Sequence, residues 1–386
     1  MRICFFGTYT VGAGYPVNRV LLQGLSRAGH EVQSCRAEAW GPFVHRALST
    51  SNPFRLLILA ARLVRAWISL WRQFRRLPIT PDWIVVGYPG FLDVHLARWL
   101  ARGRPVALVS FISLYDTIVA DRQRVRASSW LARLVHLLDR SAFQAAQVVL
   151  VDTEEQGRYY AELFGLEGQR FLRSFVGEDD GEFPFHAPKV RQTEPLKVLF
   201  FGTYVPLHGI ETIIDAAHEL RNDHDITVCL IGNGQMFSKL RERAKQLDLQ
   251  TTFISDWVAP DELVRHIKAA HVCLGVFGTT AKAARVIPYK VFDAAAVGRA
   301  IVTRDSPAIR EIFTDGESAL LCDAGDSGGL AAALRRLRDD DDLRLSLAQA
   351  GHEVYKRRGS PEAVGRQLGH SLEHILEHLA PTEADA

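Results

Sequence analysis

The sequence of 386 residues predicts an α/β protein with two Rossmann-like, doubly wound parallel-sheet domains that face each other across a cleft. Three observations predict this class. The pentapeptide FFGTY occurs twice, at 5–9 and 200–204, each time after a strand-like run and before a helical pattern. Strand-like and helical segments alternate through both halves. The strand-like segments are almost continuously apolar, as in parallel sheets that are covered on both faces.

The two halves repeat the same order of elements. In the first half, RICFF leads into the helical NRVLLQGLSRAG, and the further strands are HEVQSC, PDWIVVGY, RPVALVSF and AQVVLVDT. In the second half, LKVLFF leads into HGIETIIDAAHEL, and the further strands are DITVCLIG, TTFIS, AAHVCLGVF, GRAIVTRD and ALLCD. Five residues can recur by chance, but the matched position at the first strand of each half argues against it. We therefore predict domains at 1–177 and 196–359, joined by a charged, proline-rich linker at 178–195.

Charge is unevenly distributed between the halves. Residues 1–175 contain 22 Arg, no Lys and 12 acidic residues, a net charge of +10, although the whole chain carries only +2. Such asymmetry indicates that the first half meets an anionic partner. The five cysteines form no CxxC pair, so neither a disulfide framework nor a metal site is predicted. No uncharged apolar stretch approaches the ~18 residues of a membrane span, and we expect a cytoplasmic protein.

Candidate ligand-binding residues follow several strands, where open α/β sheets bind their ligands. The first strand is followed by Gly12 and Gly14, for which a merely flexible turn is an equally good reading. In the second half the candidates follow two strands and begin the next helix: Gly232, Gly278, Thr279, Lys282, Arg285, Lys290 and Asp293. A carboxylate such as Asp293 is a natural acceptor for a ribose diol. The alternative for Lys290 and Asp293 is an exposed helical ion pair.

These segments resemble the family-4 retaining glycosyltransferases of the GT-B fold. The resemblance covers LSRAGHEV, FFGTYVPLHGIETIIDAA, LIGNG, ISDWVAPDEL, PYKVFDAAAVGRAIVTRDSPAIREI and DGESALLCDAGD, in the order that the family has them. It implies a nucleotide-diphosphate-sugar held by the second domain and an acceptor held by the first. It also implies that a C-terminal helix at 360–380 crosses back to the first domain. No cofactor and no metal ion are implied.

The sequence departs from the family pattern at the diphosphate. After Gly202 the family commonly has an Arg and, a few residues on, a Lys, where this chain has Thr203 and His208. Of the family's Glu-x7-Glu pair, Asp293 stands at the second position and Arg285 at the first. We infer that Lys282 and Arg285 compensate for the lost cations. The alternative is a degenerate donor site in a binding protein that is not catalytic.

A catalytic side chain in the first domain is harder to assign. The family's active-site histidine often follows the strand written here as RPVALVSF, but this chain continues ISLYDT, and Asp116 is the nearest polar candidate. The run DDDD at 339–342 is more typical of a solvated loop and helix start than of a metal site.

Residues 52–78 predict an amphipathic helix. Its arginine face contains Arg55, Arg62, Arg65, Arg72 and Arg76, and its apolar face contains Leu59, Leu63, Trp67, Leu70, Trp71 and Phe74. Such a helix is typical of membrane interfaces, where the tryptophans insert shallowly. The alternative is a helix packed on the sheet with its arginines in water. A nucleic acid would also suit the positive charge. The sequence shows no nucleic-acid-binding module, however, and we predict no nucleic acid as a partner.

Together with the family resemblance, these features predict a metal-independent glycosyltransferase that uses a nucleotide-diphosphate-sugar, and the resemblance alone implies that the mechanism is retaining. Its acceptor would be a lipid-linked or cell-envelope glycan, and the protein would be peripheral on the inner face of the cell membrane. Two alternatives stay open: a donor-site-degenerate partner subunit, and a nucleotide-sugar epimerase of similar fold.

Overall fold

The structure is a computed structural model that describes residues 1–12, 16–39, 53–122, 125–249 and 251–379. The chain divides into two units. Unit 1 contains Met1–Phe175 together with Pro361–Ala386, and unit 2 contains Val176–Ser360. Among the described helices, none combines the length and the apolar character needed to cross a bilayer.

Unit 1 contains a six-stranded parallel sheet in the order β2-β1-β3-β4-β5-β6. Its strands are β1 (Arg2–Gly7), β2 (Glu31–Arg36), β3 (Trp83–Val86), β4 (Val106–Val109), β5 (Val148–Val151) and β6 (Phe171–Arg173). The chain order reverses between β1 and β3. The carboxyl ends of these two strands are therefore where an open α/β sheet receives a ligand.

The helices of unit 1 are α1 (Val17–Arg27), α2 (Pro53–Arg75), α3 (Asp93–Ala101), α4 (Trp130–Ala145), α5 (Glu154–Phe164) and α14 (Pro361–Leu379). A π-helical turn spans Asp116–Asp121. Helices α2, α3 and α4 cover one face of the sheet, and apolar residues of all three pack with Phe6, Val86 and Leu108 in a single core. The amphipathic pattern of residues 52–78 thus forms the predicted helix.

The last described helix, α14, packs along α1. Two glycines make the close approach possible. A Cβ atom on Gly24 would lie 2.2 Å from the carbonyl oxygen of Pro361, and one on Gly365 would lie 1.9 Å from the carbonyl carbon of Gly24. Farther along, the indole Nε1 of Trp83 donates a hydrogen bond to the carbonyl of Leu372, at 3.1 Å. A helix that is remote in sequence therefore completes the hydrophobic core of unit 1.

Unit 2 repeats the doubly wound pattern with the strand order β12-β11-β10-β7-β8-β9, all parallel. Its strands are β7 (Leu196–Phe201), β8 (Ile226–Ile231), β9 (Thr252–Ile254), β10 (Val272–Leu274), β11 (Ala300–Arg304) and β12 (Leu320–Cys322). Its helices are α6 (Ile210–Glu219), α7 (Phe237–Gln246), α8 (Pro260–Ala269), α9 (Ala281–Arg285), α10 (Tyr289–Val297), α11 (Pro307–Arg310), α12 (Ser327–Asp339) and α13 (Asp341–Arg358). The chain order of the strands reverses between β7 and β10, so the carboxyl ends of these two strands form the switch point of this sheet.

The two sheets confirm the predicted class of an α/β protein with two doubly wound parallel sheets. Each copy of FFGTY lies where the first strand of a sheet ends, at Gly7 in unit 1 and at Phe201 in unit 2. Strand β6 has no counterpart among the predicted strands, because its three residues are only half-buried and FLR has no distinctive apolar run.

We expect Gly365→Ala to destabilise unit 1, because the new methyl group has no space against Gly24. Overpacking of this kind typically costs about 1–3 kcal/mol. Urea unfolding would measure the change. The matched control is Gly168→Ala, where an added Cβ meets nothing within 4 Å. Equal stability of the two variants would contradict the tight crossing of α1 and α14.

Candidate functional site

The loops that follow β7, β8 and β10 interlock at the switch point of the sheet in unit 2. A Cβ on Gly232 would lie 2.0 Å from the carbonyl oxygen of Gly202, and one on Gly209 would lie 2.3 Å from the amide nitrogen of Gly278. The amide of Gly202 donates to the carbonyl of Ile231, at 2.9 Å. Backbone therefore meets backbone at both contacts, and only glycine fits. The structure thus brings together Gly202, Gly232 and Gly278, three of the residues predicted from the sequence.

Gly202 also makes room for the amine of Lys290. The glycine has φ +140°, and a Cβ there would lie 2.9 Å from Lys290 Nζ. The amine lies 4.1 Å from the centre of the Phe200 ring, a cation–π contact. Lys290 belongs to α10 and is only 6% exposed. The side chain therefore lies beneath the FFGTY turn, and the alternative of an exposed helical ion pair is wrong.

Lys290 Nζ has no hydrogen-bond partner among the residues that the structure describes. Burial lowers its pKa to about 7, although the carboxyl group of Asp293 acts in the opposite direction. A buried amine without a partner costs free energy in the folded state. A negatively charged ligand at the turn would supply the missing partner.

Asp293 lies one helical turn beyond Lys290 and forms a carboxyl pair with Glu178. Burial raises the pKa of Asp293 well above its ordinary value, and the neighbouring carboxyl group of Glu178 raises it further. Two carboxyl groups in such contact repel each other when both are ionised, which is why the pKa of Asp293 rises further. Among the described residues, Asp293 Oδ1 has no hydrogen-bond partner and is able to accept one.

Glu178 was not predicted as a site residue because it stands in the segment read as a linker. The start of that segment is packed: the amide of Glu178 donates to the carbonyl of Gly359, at 3.1 Å, and Tyr355 Oη donates to the carbonyl of Glu178, at 2.8 Å. The glutamate is 3% exposed. Charged residues between two domains usually indicate a solvated linker, so the sequence carried no signal for this contact.

His208 and Thr203 complete the turn after β7. The imidazole of His208 forms a hydrogen bond with the carbonyl of Thr203. Burial and then the charge of Lys290 hold the pKa of His208 well below its ordinary value, so the ring is neutral at pH 7. The half-buried histidine therefore brings a neutral hydrogen-bonding group to this turn, where the family resemblance implied a cation.

The loop after β10 carries Thr279 and leads into α9. Arg304 at the end of β11 donates to the carbonyl of Gly278, and its burial lowers the pKa of the guanidinium. Thr280 caps α9 by accepting from the amide of Ala283. Arg304 was also missed, since an arginine at the end of a strand has no distinctive pattern. It positions the loop that precedes Lys282 and Arg285.

Lys282 and Arg285 lie on the short helix α9 (Ala281–Arg285), and both are half-buried. They belong to the segment that links the β10 loop to α10. We predict that Lys282 and Arg285 compensate for the Arg and Lys that the family commonly has after the glycine at position 202.

In unit 1 the turn at Gly7, after β1, resembles the turn at Gly202, but the side chain beneath it is acidic. Gly7 has φ +127°, and a Cβ there would lie 2.9 Å from Asp93 Oδ2. The same oxygen accepts from the amide and the hydroxyl of Thr8, both at 2.6 Å, and Asp93 Oδ1 accepts from Trp67 Nε1, at 2.8 Å. Gly12, which follows, is exposed. Gly14 lies outside the described residues.

Asp116 is fully buried at the start of the π-helical turn. Its amide donates to Ser113 Oγ, whose hydroxyl donates to Asp139. Burial raises the pKa of Asp139 to about 6. Asp116 has no exposed surface, so this placement does not support a role in contact with substrate.

The apolar face of α2 packs against the core of unit 1. Trp67, Trp71 and Phe74 all belong to that contact. The rings predicted to enter a membrane are therefore used for packing, and their predicted insertion is wrong. Arg62, Arg65 and Arg72 are exposed on the other side of the helix, and the side chain of Arg55 lies outside the described part of the structure.

Comparison with known proteins identifies unit 2. Residues 183–354 match the family described as Glycosyl transferases group 1. The glycine-bounded turn, Lys290 and Asp293 all lie within these matched residues.

Relatives and solved structures agree with this assignment. A glycogen synthase of Mycobacterium tuberculosis is 27% identical over 275 residues, which are 67% of this chain and 63% of the relative. The lipopolysaccharide core biosynthesis glycosyltransferase LpsD of Rhizobium meliloti is 28% identical over 176 residues, 43% of this chain and 46% of LpsD. The chain therefore spans less than two thirds of these relatives.

The structure of Anabaena Alr3699/HepE in complex with UDP-glucose aligns with a TM-score of 0.67 at 14% identity, over 97% of this chain and 100% of that chain. That likeness shows a shared fold. The shared fold and the match of residues 183–354 to the group 1 family together confirm the resemblance to GT-B glycosyltransferases.

We expect Lys290→Met to stabilise the ligand-free protein, most strongly below pH 7. The amine titrates near pH 7 when folded and near its ordinary 10.5 when unfolded. Below pH 7 both states hold the proton, so the full cost of a buried charge falls on the folded state. Between pH 7 and 10.5 the folded state has lost that proton, and the cost fades as pH rises. Urea unfolding should show the variant more stable at pH 6 by at least about 1.4 kcal/mol, the equivalent of one pKa unit.

The same comparison at pH 9.5 provides the control, because the gap between variant and wild type should be smaller there. If the difference in unfolding free energy between variant and wild type increased with pH, the result would contradict a buried amine that titrates near pH 7.

Proposed function

We propose that the protein is a retaining glycosyltransferase that transfers a sugar from a nucleotide-diphosphate-sugar to a glycan acceptor. One observation carries the proposal: the buried amine of Lys290, without a hydrogen-bond partner among the described residues, lies beneath the glycine turn at the switch point of the group 1 domain. A diphosphate at this turn would meet both a cation and backbone amides.

Each side chain has a distinct part in donor binding. Lys290 neutralises the diphosphate, and Asp293 accepts hydrogen bonds from the ribose hydroxyls. Because burial and Glu178 raise the pKa of Asp293, its carboxyl group would bind neutral hydroxyls while bringing less negative charge close to the phosphates. The complex of HepE with UDP-glucose supports a donor of this class.

The leaving nucleotide gains negative charge as the glycosidic bond breaks. In this proposal Lys290, with Lys282 and Arg285 on the neighbouring segment, stabilises that charge. The donor site needs no metal ion, because these side chains supply the positive charge. A neutral His208 adds a hydrogen-bonding group without adding charge.

The acceptor belongs to unit 1 in this proposal, and it is a lipid-linked or cell-envelope glycan. The net charge of +10 over residues 1–175 supports a position on an anionic membrane surface. The likeness to LpsD, a lipopolysaccharide core glycosyltransferase, supports an envelope glycan. The protein would be peripheral on the cytoplasmic face.

A panel of nucleotide-diphosphate sugars tests the function directly. Thermal stabilisation identifies the donor, and the anomeric configuration of the transferred sugar, read by NMR, tests retention. Transfer to an acceptor would exclude the donor-site-degenerate subunit, and a product epimerised without acceptor would favour the epimerase.

We expect Lys290→Ala to weaken donor binding by about 1.5–3 kcal/mol, as for a lost hydrogen bond to a charged group. Asp293→Asn should weaken it less, because an amide still accepts one hydrogen bond. Calorimetric titration with the best donor measures both. The exposed Lys245→Ala on α7 is the matched control and should bind as wild type does. Unchanged affinity in both site variants would refute the donor assignment.

We expect Arg285→Glu to lower the rate of transfer by at least about tenfold, the equivalent of 1.4 kcal/mol. The change restores the family's usual acid but removes a cation near the leaving group. The initial rate of transfer with saturating donor measures it. A rate equal to or above that of wild type would show that Arg285 has no part in holding the phosphates.

A further inference from the structure

The layer of α2, α3 and α4 has an unusual outer surface. Helix α3 lies between the other two and contacts both. The inner faces pack on the sheet, yet the outer faces expose large apolar side chains, which water disfavours. They are Leu57, Ile58, Val64 and Ile68 on α2, Trp99 on α3, and Trp130, Leu131, Leu134 and Leu137 on α4. We call this outer surface the arginine–tryptophan face.

These exposed residues follow helical spacing. Leu57, Val64 and Ile68 lie on one side of α2, and Trp130, Leu134 and Leu137 lie on one side of α4. Nine of the fourteen exposed large apolar residues in the described chain belong to these three helices. Single exposed apolar residues are ordinary, but a concentration of this kind marks an interaction surface.

Positive charge accompanies the apolar residues, and exposed negative charge is absent from the described part of the three helices. Their sequences contain only two acids, Asp93 and Asp139, and both are buried. Exposed arginines lie among the apolar residues: Arg62, Arg65, Arg72, Arg75, Arg98 and Arg133. The preferred partner is therefore both anionic and apolar.

Two tryptophans lie near opposite ends of the layer. Trp130, 75% exposed, begins α4, and Trp99, 68% exposed, lies near the end of α3. Indole rings favour the headgroup level of a bilayer, where the ring is buried and the N–H stays hydrated.

A cavity of about 640 Å³ opens beside Trp99. Its wall includes Trp71, Phe74, Arg75, Arg102 and Arg104, and the described residues that line it include no acid. The guanidinium of Arg75 lies 5.0 Å from the centre of the Trp71 ring. Arginines above an apolar floor match a phosphate that carries a hydrocarbon chain.

We propose that the arginine–tryptophan face binds the surface of an anionic phospholipid bilayer. Trp99 and Trp130 lie at headgroup level, the arginines contact lipid phosphates, and the cavity beside Trp99 takes one headgroup. This inference deepens the proposed function, on whose membrane-associated acceptor it rests, and it replaces Trp67 and Trp71 as the inserting residues. A bilayer fits better than a second copy of the chain because the apolar residues extend over three helices alongside arginines without acidic partners on that face.

Co-sedimentation of the full chain with vesicles tests the proposal. Wild type should bind vesicles of phosphatidylcholine with 30 mol% phosphatidylglycerol at least tenfold more tightly than pure phosphatidylcholine, and the preference should shrink at high salt. The double variant Trp99→Ser/Trp130→Ser should lose at least tenfold in partition coefficient. Trp257→Ser is the matched control, since Trp257 is 80% exposed in unit 2, and it should bind as wild type does.

A triple change of Arg62, Arg65 and Arg72 to Gln should likewise lose at least tenfold in binding to the anionic vesicles. Its control changes the exposed Arg221, Arg241 and Arg336 of unit 2 to Gln. Absence of wild-type binding, or equal binding by the face variants and their controls, would overturn the proposal. So would a wild-type dimer in sedimentation velocity that the tryptophan variant dissociates, since the face would then bind a second copy.

Donor-induced thermal stabilisation, measured without vesicles, separates this inference from the proposed function. The face variants should keep wild-type stabilisation, which also shows that they fold. A wild type that binds vesicles but no nucleotide-sugar would overturn the proposed function and leave the membrane face standing. A wild type that binds a nucleotide-sugar but no vesicles would overturn the membrane face and leave the proposed function standing.

Discussion

The close approach of the Lys290 amine to the Gly202 turn is the constraint on which the candidate site of unit 2 depends. It requires a glycine with positive φ directly after β7. The loop after β8 meets that turn at Gly232, and the loop after β10 meets the same connection at Gly209 through Gly278. Burial also determines the chemistry. Burial lowers the pKa of Lys290 to about 7 and, together with Glu178, raises the pKa of Asp293, so the charged forms of both side chains are disfavoured. A polyanionic ligand would draw protons to the amine and so create the charge that holds it.

The architecture was predictable from the sequence because its signals are local. FFGTY followed by a helical pattern specifies a strand, a turn and a helix without reference to any distant residue. The short, β-branched apolar runs VALV and VVLV are typical of buried parallel strands, and both form strands. The same local signals placed Gly202, Gly278 and Lys290 after strands that the topology makes neighbours.

Contacts between residues distant in sequence were not predictable. Glu178 contacts Asp293 across more than a hundred residues, and nothing in GEDDGEF distinguishes a packed carboxyl group from a solvated one. Helix α2 shows the same limit in another form. Its amphipathic pattern predicted the helix, but periodicity does not say whether the apolar face meets a sheet or a membrane. Trp67 bonds to Asp93 and packs on the sheet, which leaves Val64 and Ile68 outside.

The position of α14 has a consequence for how the chain is made. Unit 2 is one continuous segment, Val176–Ser360, whereas unit 1 needs both Met1–Phe175 and the helix that begins at Pro361. On the ribosome, therefore, the sheet of unit 1 emerges first but keeps the surface of α1 around Gly24 uncovered until α14 is synthesised. Unit 2 begins to emerge later than unit 1. Its last residue, Ser360, is nevertheless synthesised before α14, so unit 2 is complete before unit 1. The N-terminal half thus waits for the C-terminal helix with apolar surface exposed, a period in which chaperones would bind it.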